Sequence, residues 1–558
     1  MKEKIVVYQV FTRLFGNDCL KCVPNGDKDE NGCGKFAHFT PKALKEIRAL
    51  GATHIWYTGV IEHATQTDYS EYGIAVDCPS IVKGKAGSPY AIKDYYDVDP
   101  DLATDIPDRM KEFCLLVKRT HKAGLRVITD FVPNHVARQY HSDACPDGVR
   151  DLGEDDNVMS DFSLQNNFYY LPGEEFRPQF DVAGYREYPA KATGNDVFHA
   201  RPCRNDWYET VKLNYGVHYT AGKQGFFWPI PSTWHKMLDI LLFWAEKGTD
   251  GFRCDMAEMV PVEFWGWVIP QVKARYPEVI FIAEVYNPSE YRNYIFRGCF
   301  DYLYDKVGLY DTLRAVTCGH ASAQNITHCW QSVDDIKNHM LNFLENHDEQ
   351  RLASDFYAGN GKKGRAPLLV SALMGQNPMM VYFGQEFGER GMDEEGFSGR
   401  DGRTTIFDYW AVDTVRRWRN KGRFDDKQLT AEECSLCDFY SKVLTLCNEV
   451  TALREGDFYD LMYVNSHLYH QYVFLRRAGD EIVLVIANFD DVEQKVQIHI
   501  PLHVFQLYNI GEVDNISTTD LLTGNTVEIA FNSKDAVSVA VPPLNGTVLQ
   551  MKISVKSV

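Results

Sequence analysis

The sequence predicts a closed (β/α)8 barrel of the TIM type, with a second domain inserted after the third strand and an antiparallel β-sandwich near the C-terminal end. Three observations lead to this architecture. Apolar runs alternate with helical patterns, a long polar segment interrupts this alternation once, and short alternating strands replace it after about residue 455. A chain of 558 residues is also too long for one compact core, so two or three domains are expected.

The barrel strands are eight apolar runs, most of them preceded by a helical pattern. The segment PKALKEIRALG (41–51) leads from the first run to the second, and WHKMLDILLFWAEKGT (234–249) leads into the fourth. Parallel strands buried on both faces have such runs, and eight of them favour a closed barrel over an open sheet. The runs occupy residues 4–11, 54–61, 125–135, 250–257, 279–286, 300–306, 341–348 and 379–386.

The interruption lies between His135 and about Ser232 and is polar and rich in Tyr and Pro. A segment of this length is a functional insertion or a small subdomain. Near the C-terminal end, stretches such as YVFLRRAGDEIVLVIANF (472–489) alternate with period two, as in an antiparallel sheet. The predicted domains are 1–135 (first part of the barrel, domain A), 136–232 (inserted domain B), 233–454 (second part of the barrel) and 455–558 (C-terminal domain C).

The formal net charge of −19 bears on partners. An acidic surface repels nucleic acid and anionic lipid, so neither is expected as a partner. The chain has no run of 18 apolar residues, so no membrane-spanning segment is expected either. The start, MKEKIVVYQVFTRLFGN, has no long apolar h-region and is interpreted as a first strand rather than a signal peptide.

The cysteines indicate a compartment. All 14 are scattered singly, which suits a reducing, cytoplasmic location better than a disulfide scaffold. Cys19, Cys22 and Cys33 cluster without an obvious fourth ligand, which disfavours a zinc site.

Acidic residues end four of the predicted barrel strands. They are Asp130, Asp255, Glu284 and Asp348. Active sites of (β/α)8 barrels lie at the carboxyl ends of the strands, so these side chains are expected in one crevice. Neighbouring carboxyls repel and their pKa values separate, so that one stays ionised while another keeps its proton. Glycoside cleavage needs that division between a nucleophile and an acid.

Four short stretches at these strand ends resemble the signature regions of one enzyme family. DFVPNH (130–135), GFRCD (251–255), AEVY (283–286) and ENHD (345–348) are similar to the four regions of the α-amylase superfamily, glycoside hydrolase family 13. The resemblance covers essentially the whole chain, including the inserted B domain and the C-terminal β-sandwich. It implies Asp255 as nucleophile, Glu284 as general acid/base and Asp348 as transition-state stabiliser.

The same resemblance implies the substrate-binding residues. His135 and His347 resemble the pair that hydrogen-bonds the sugar in the −1 subsite, and Tyr90 resembles the tyrosine that stacks on it. Arg253 lies two residues before Asp255, on the same face of the strand, and resembles the arginine that keeps the nucleophile ionised.

The implied reaction is hydrolysis of α-1,4-glucosidic bonds in starch- or glycogen-derived glucans, with retention through a covalent glucosyl-enzyme. The carboxyls of Asp255 and Glu284 are then expected roughly 5–6 Å apart. Two alternatives stay open: a glucanotransferase or maltose-to-trehalose isomerase of the same superfamily, and a non-catalytic binding protein. The last is disfavoured because all three acids are present.

The residues after the nucleophile depart from the family pattern. Many α-amylases have Lys-His three and four residues after it, and the cyclomaltodextrinase branch has Asn-Glu, whereas this chain has Glu258 and Met259. Glu258 has two interpretations, a contact with the sugar beyond the cleaved bond or a structural carboxylate. Strand alternation predicts that Cys254 and Met256 face away from the site and pack.

The resemblance also bears on a calcium ion. Asn134 stands where many members of the superfamily anchor a calcium ion between the barrel and domain B. Calcium requires further oxygen ligands from the insertion. The candidates are Asp151, Asp155 and Asp156.

Overall fold

A computed structural model describes residues 3–555; residues 1–2 and 556–558, at the ends of the first and last predicted domains, lie outside the described residues. The strands of the described part are β1 (Val6–Phe11), β2 (His54–Thr58), β3 (Ile61–His63), β4 (Ile92–Val98), β5 (Arg126–Phe131), β6 (His135–Ala137), β7 (Tyr170–Leu171), β8 (Ala190–Lys191), β9 (Thr210–Lys212), β10 (Val217–His218), β11 (Gln224–Gly225), β12 (Gly251–Cys254), β13 (Ile280–Ala283), β14 (Tyr302–Tyr304), β15 (Met340–Phe343), β16 (Met379–Tyr382), β17 (Asp457–Asp460), β18 (Gln471–Ala478), β19 (Glu481–Asn488), β20 (Gln494–Ile498), β21 (Val513–Asp520), β22 (Thr526–Phe531), β23 (Val537–Val541) and β24 (Asn545–Lys552).

The α-helices lie between and after these strands. They are α1 (Thr12–Phe15), α2 (Lys28–Asn31), α3 (Pro41–Ala49), α4 (Arg109–Lys122), α5 (Ser232–Glu246), α6 (Val262–Arg275), α7 (Tyr291–Phe296), α8 (Asp311–Thr317), α9 (Asn325–Ser332), α10 (Arg365–Leu373), α11 (Asp413–Arg419), α12 (Ala431–Glu449), α13 (Thr451–Glu455) and α14 (Leu502–Tyr508). No helix within residues 3–555 is long and apolar enough to cross a membrane.

The eight predicted runs form a closed barrel of parallel strands. Around the barrel the order is β1, β16, β15, β14, β13, β12, β5, β2, so neighbours in sequence pair throughout except where the ring closes between β1 and β16. The strands are shorter than the runs, and the runs' C-terminal residues lie in the loops that follow. The predicted (β/α)8 fold is therefore confirmed, and its functional loops begin at the strand ends.

The barrel interior is filled from most of its strands. Alternate residues of a strand point to opposite faces, so one set packs outward against the helices and the other packs inward. The inward apolar set is Val7, Trp56, Ile128, Ile282, Tyr304, Leu341, Phe343 and Met380. Strand β12 contributes no apolar side chain to this set. Its Gly251 has no side chain, and a Cβ there would lie 2.7 Å from Ile280. Its Arg253 is fully buried and lies over the rings of Trp56 and Tyr304.

The segment between β5 and α5 holds short antiparallel pairs. Strand β6 pairs with β9, β7 with β8 and β10 with β11. Strand β6 begins at His135, four residues after β5 ends, so this segment is anchored directly beside the carboxyl end of the third barrel strand.

The C-terminal part is built from antiparallel strands. Six of them form a sheet in the order β17, β18, β19, β24, β21, β22, and β20 pairs with β23. Gly546 in β24 permits close approach to the barrel, because a Cβ there would lie 2.3 Å from Leu369 of α10. This arrangement agrees with the predicted β-sandwich and covers α10 on the outside of the barrel.

Candidate active site

The three predicted catalytic acids follow three barrel strands. Asp255 comes directly after β12 and Glu284 directly after β13, and these strands pair with Cys254 opposite Ala283. The two acids therefore stand at equal height on neighbouring strands. Asp348 lies five residues beyond β15, in a turn where Asn346 Oδ1 accepts the backbone N–H of Asp348 at 2.9 Å.

A buried arginine holds the acids together. Arg253 Nη1 donates to Asp255 Oδ1 at 2.8 Å, and Nη2 makes an ion-pair contact with Glu284 Oε2, also at 2.8 Å. Nη2 also lies 3.9 Å from Asp348 Oδ2, and Nη1 lies 3.6 Å from Asp130 Oδ1. One guanidinium therefore faces four carboxyls, and the predicted pairing of Arg253 with Asp255 is present in the structure.

This charge imbalance favours bound protons. Burial raises the pKa of Asp255 well above its usual range and that of Asp348 above it, with the arginine opposing the shift in each case. Burial likewise raises the pKa of Asp130 to about 6. Asp255, Asp348 and Asp130 therefore favour their protonated forms more than isolated aspartates do.

Glu284 is fixed at both oxygens. Its Oε1 accepts from the Tyr286 hydroxyl, and its Oε2 accepts from the backbone N–H of Met256 at 2.8 Å. Tyr286 is two residues beyond Glu284, and its side chain reaches back to that carboxyl. The acid is therefore held by its own loop and by the loop that follows β12.

The neighbours of His347 favour one tautomer. Gln9 Nε2 lies 2.8 Å from His347 Nδ1 and 3.1 Å from Thr58 Oγ1. On the other side of the imidazole ring, His347 Nε2 lies 3.1 Å from Asp348 Oδ2 and within hydrogen-bond distance of the Tyr90 hydroxyl. An N–H at Nε2 satisfies the carboxylate, so Nδ1 accepts from Gln9. Burial lowers the pKa of His347 well below its usual value, so the ring is neutral.

Tyr90 and His135 both line the site. The Tyr90 ring stacks on His347 with centroids 5.2 Å apart. His135, the first residue of β6, is buried, its pKa is lowered to about 3 by burial, and its ring lies 5.1 Å from that of Trp207. These two side chains offer a ring face and neutral imidazole to a ligand.

A cavity of about 560 Å³ opens over the acids. It is lined by Tyr90, His135, Asp255, Glu284 and Asp348 from the predicted set, together with Lys83, Ser88, Trp207, Glu209, Thr210, Met256, Tyr286, Lys306, Val307, Glu349, Ile406 and Phe407. Arg253 and His347 do not line the cavity but contact the acids from behind it. The structure thus brings all seven predicted catalytic and sugar-binding residues to one site.

Several cavity residues were not predicted. Tyr286 could have been found, since it stands two residues from Glu284. Trp207 lies in the insertion, where no periodicity marks it, and Phe407 lies in the loop after β16. For Met256 the prediction was wrong: it lines the cavity because β12 ends at Cys254 and Met256 has a left-handed φ of 42°, which breaks the alternation. Cys254 is fully buried, as predicted.

The donors near Asn134 do not fit a calcium ion. Asn134 Oδ1 accepts from the Lys212 ammonium, which also pairs with Asp196 at 2.7 Å. A buried ammonium thus already supplies the positive charge at this oxygen. The three aspartates considered as further ligands bond protein groups elsewhere: they are Asp151, Asp155 and Asp156. Among residues 3–555 no three His, Cys, Asp or Glu side chains are grouped so that they could hold a metal.

The fold and the site together define a barrel glycosidase: a carboxyl-lined cavity at the carboxyl end of a (β/α)8 barrel, with two acids on one arginine. The family described as alpha amylase, catalytic domain, matches residues 25–422. The chain therefore belongs to the α-amylase family, glycoside hydrolase family 13, and is a glycoside hydrolase.

Its similarity to individual proteins is distant. It is 24% identical over 400 residues to alpha-amylase MalA of Haloarcula japonica, covering 70% of this chain and 45% of that protein, so it spans less than half of that relative. It is 22% identical over 513 residues to neopullulanase 2 of Thermoactinomyces vulgaris, covering 89% and 72%. The solved α-amylase of Geobacillus thermoleovorans, complexed with acarbose, superposes with a TM-score of 0.65 at 19% identity over 99% of both chains. At that identity the superposition supports the fold.

Proposed function

We propose that the chain is a retaining α-glucan hydrolase that cleaves α-1,4-glucosidic bonds in starch- or glycogen-derived oligo- or polysaccharides. The observation that carries the proposal is the Arg253 bridge: both Asp255 and Glu284 lie 2.8 Å from one guanidinium, above which the cavity opens. Two carboxyls on adjacent guanidinium nitrogens are near neighbours. This supports the short separation of retaining enzymes, about 5 Å, over the 6.5–9.5 Å of inverting ones.

In the first step Asp255 attacks the anomeric carbon and the bond to the leaving oxygen breaks, while Glu284 gives that oxygen its proton. The product is a covalent glucosyl ester of Asp255. In the second step Glu284 takes a proton from water, the water oxygen bonds to the anomeric carbon, and the ester bond breaks, which restores both acids. Arg253 stabilises the Asp255 carboxylate as it is released.

Asp348 and the neutral rings bind the sugar in this scheme. A partly exposed carboxylate beside the His347 Nε2–H suits paired sugar hydroxyls, and Tyr90 offers its face to the ring's C–H groups. An oxocarbenium-like transition state gains positive charge, which the surrounding carboxylates stabilise. The relatives named as amylases and a neopullulanase support an α-glucan as the substrate class.

One observation favours glucosyl transfer as a second candidate. Met256 and Tyr286 line the cavity and both hydrogen-bond Glu284, the residue proposed to protonate the leaving group. Apolar surface at this place disfavours water and favours a sugar as acceptor. A glucanotransferase or a maltose-to-trehalose isomerase would use the same three acids.

Product analysis separates these reactions. On maltoheptaose we expect shorter oligosaccharides down to maltose or glucose, released first as the α-anomer in proton NMR. Oligosaccharides longer than the substrate, or trehalose from maltose, would assign transfer or isomerisation instead. Release of the β-anomer would contradict the retaining mechanism, and Asp255→Asn serves as the inactive control.

We also infer a reducing compartment, because all 14 cysteines are free and most are partly exposed. Activity should be the same with and without dithiothreitol during purification. Dependence on an intact disulfide would contradict this inference.

A further inference from the structure

The loops that follow β12 and β13 bind each other reciprocally. From the first loop, the Met256 N–H donates to the Glu284 carboxylate at 2.8 Å. From the second loop, the backbone N–H groups of Tyr286 and Asn287 both donate to Glu258 Oε2, each at 3.1 Å. Each loop therefore contributes one carboxylate, and the backbone N–H groups of the other loop donate to it.

Glu258 is itself held in place. The Tyr294 hydroxyl donates to the carbonyl oxygens of Glu258 and Val260, at 3.1 and 2.9 Å. Two successive N–H groups that converge on one carboxylate oxygen form a compact anion-binding turn. These two hydrogen bonds hold the backbone of Tyr286 and Asn287 against the Glu258 side chain.

Glu258 does not line the active-site cavity, whereas its neighbour Met256 does. Its carboxylate is directed into the backbone of the β13 loop rather than toward the site of the sugar. Of the two interpretations of Glu258, the contacts favour the structural one, but at a position with a direct connection to catalysis.

That connection runs through Tyr286. Its backbone is held by Glu258, and its hydroxyl donates to Glu284 Oε1. A shift of this backbone moves the hydroxyl, and with it the carboxyl of Glu284. A displacement of about 1 Å in a catalytic group can reduce the rate by about 100-fold.

We propose that Glu258 is a positioning residue for Glu284: it fixes the loop whose tyrosine orients the acid/base. The inference rests on the proposed function, in which Glu284 protonates the leaving group. It predicts that loss of Glu258 impairs proton donation specifically, and not sugar binding or the attack by Asp255.

The test uses aryl α-maltosides with phenols of increasing acidity. Phenyl α-maltoside needs a proton on its leaving oxygen, whereas 2,4-dinitrophenyl α-maltoside releases the weakly basic 2,4-dinitrophenolate without one. Neither places a sugar beyond the cleaved bond, so the series reports on the acid alone. The quantity to compare is kcat/KM, which reports the glycosylation step.

For Glu258→Ala we expect kcat/KM on phenyl α-maltoside to fall about 10–100-fold, because general acid catalysis contributes about 10²–10⁴-fold. The value on the 2,4-dinitrophenyl substrate should change less than about threefold, so the dependence on phenol acidity steepens. Tyr286→Phe should give the same signature. Glu258→Gln keeps an acceptor oxygen and should lose less than Glu258→Ala.

Glu263→Ala is the matched control, since Glu263 is exposed in α6 and pairs with Arg297 at the surface. It should leave both substrates unchanged, and thermal unfolding checks that every variant is folded. Equal losses on both aryl substrates, or a loss confined to maltotriose, would overturn the inference; the latter would assign Glu258 to sugar binding. A wild-type enzyme inert on both aryl substrates and on maltotriose would contradict the proposed function itself.

Discussion

Strands β12 and β13 carry opposite chemistry in their cores and at their carboxyl ends. Phe252 and Phe281, in the middle of these strands, are fully buried with ring centroids 5.6 Å apart. Arg253 directly follows Phe252, and Asp255 and Glu284 lie three residues beyond the two phenylalanines; together they form a buried charged cluster. The packed part stabilises the fold by apolar burial, whereas the charged part holds groups whose burial is unfavourable.

The difference shows how the barrel separates stability from activity. Burial raises the pKa of Asp255 and that of Asp348, so the fold holds both carboxyls where their ionisation is unfavourable. Substitutions in the two parts should therefore have opposite effects: loss of activity without loss of stability at the strand ends, and the reverse in the packed core.

The largest effect is expected for Asp255→Asn. The variant lacks the nucleophile, so kcat on maltoheptaose should fall by about 10⁴-fold or more. Burial raises the pKa of Asp255 above its value in the unfolded chain, so the folded state binds this proton more tightly. As the pH rises from the unfolded pKa toward the folded pKa, ionisation of Asp255 therefore lowers the stability of the wild type. The Tm of the variant, measured by calorimetry, should therefore exceed that of the wild type by more at pH 7 than at pH 4. A lower Tm than wild type at pH 7 would contradict the comparison.

The converse substitution is Phe281→Ala. Removing a fully buried ring leaves a cavity and should lower the free energy of unfolding by about 3–5 kcal/mol. The activity of the folded fraction should stay within about twofold, because this ring packs in the hydrophobic core and does not line the cavity of the acids. Denaturant unfolding with active-site titration measures both quantities. A selective loss of kcat at full folding would show that the two parts of the strand are not separable.

A smaller effect on activity is expected at Gln9. Gln9→Leu removes the donor that keeps His347 Nδ1 unprotonated, and kcat/KM should fall about 10-fold from loss of one oriented sugar contact. Gln9→Glu should also make activity depend on pH near neutrality, since a carboxylate raises the pKa of a neighbouring imidazole. Rate profiles from pH 5 to 9 would test both variants. If both variants had the pH–rate profile of the wild type, Gln9 would not set the tautomer of His347.

No effect is expected from metal chelation. Because the Lys212 ammonium bonds Asn134 Oδ1, excess EDTA should leave the Tm and activity unchanged, whereas Lys212→Met should lower the Tm. A fall of several degrees on chelation, reversed by calcium, would contradict this account of the Asn134 site.

The fold and the acids were predictable because each depends on local pattern. Eight apolar runs fix the strands, and Asp255 and Glu284 follow them directly. What could not be predicted depends on contacts across the chain. Gln9 stands in an apolar run 338 positions from its partner His347, and Lys212 stands 78 positions from Asn134. Met256 was misplaced because a single left-handed residue ended the alternation.

The most direct test of the account is to trap the intermediate. In Glu284→Gln the acid/base is absent, but α-maltosyl fluoride needs no proton on its leaving group, so glycosylation should proceed and hydrolysis should stall. Mass spectrometry should then detect one added maltosyl group, mapped by peptide analysis to Asp255. An adduct on another residue, or a β-configured product with no adduct, would contradict the assignment of Asp255 and Glu284.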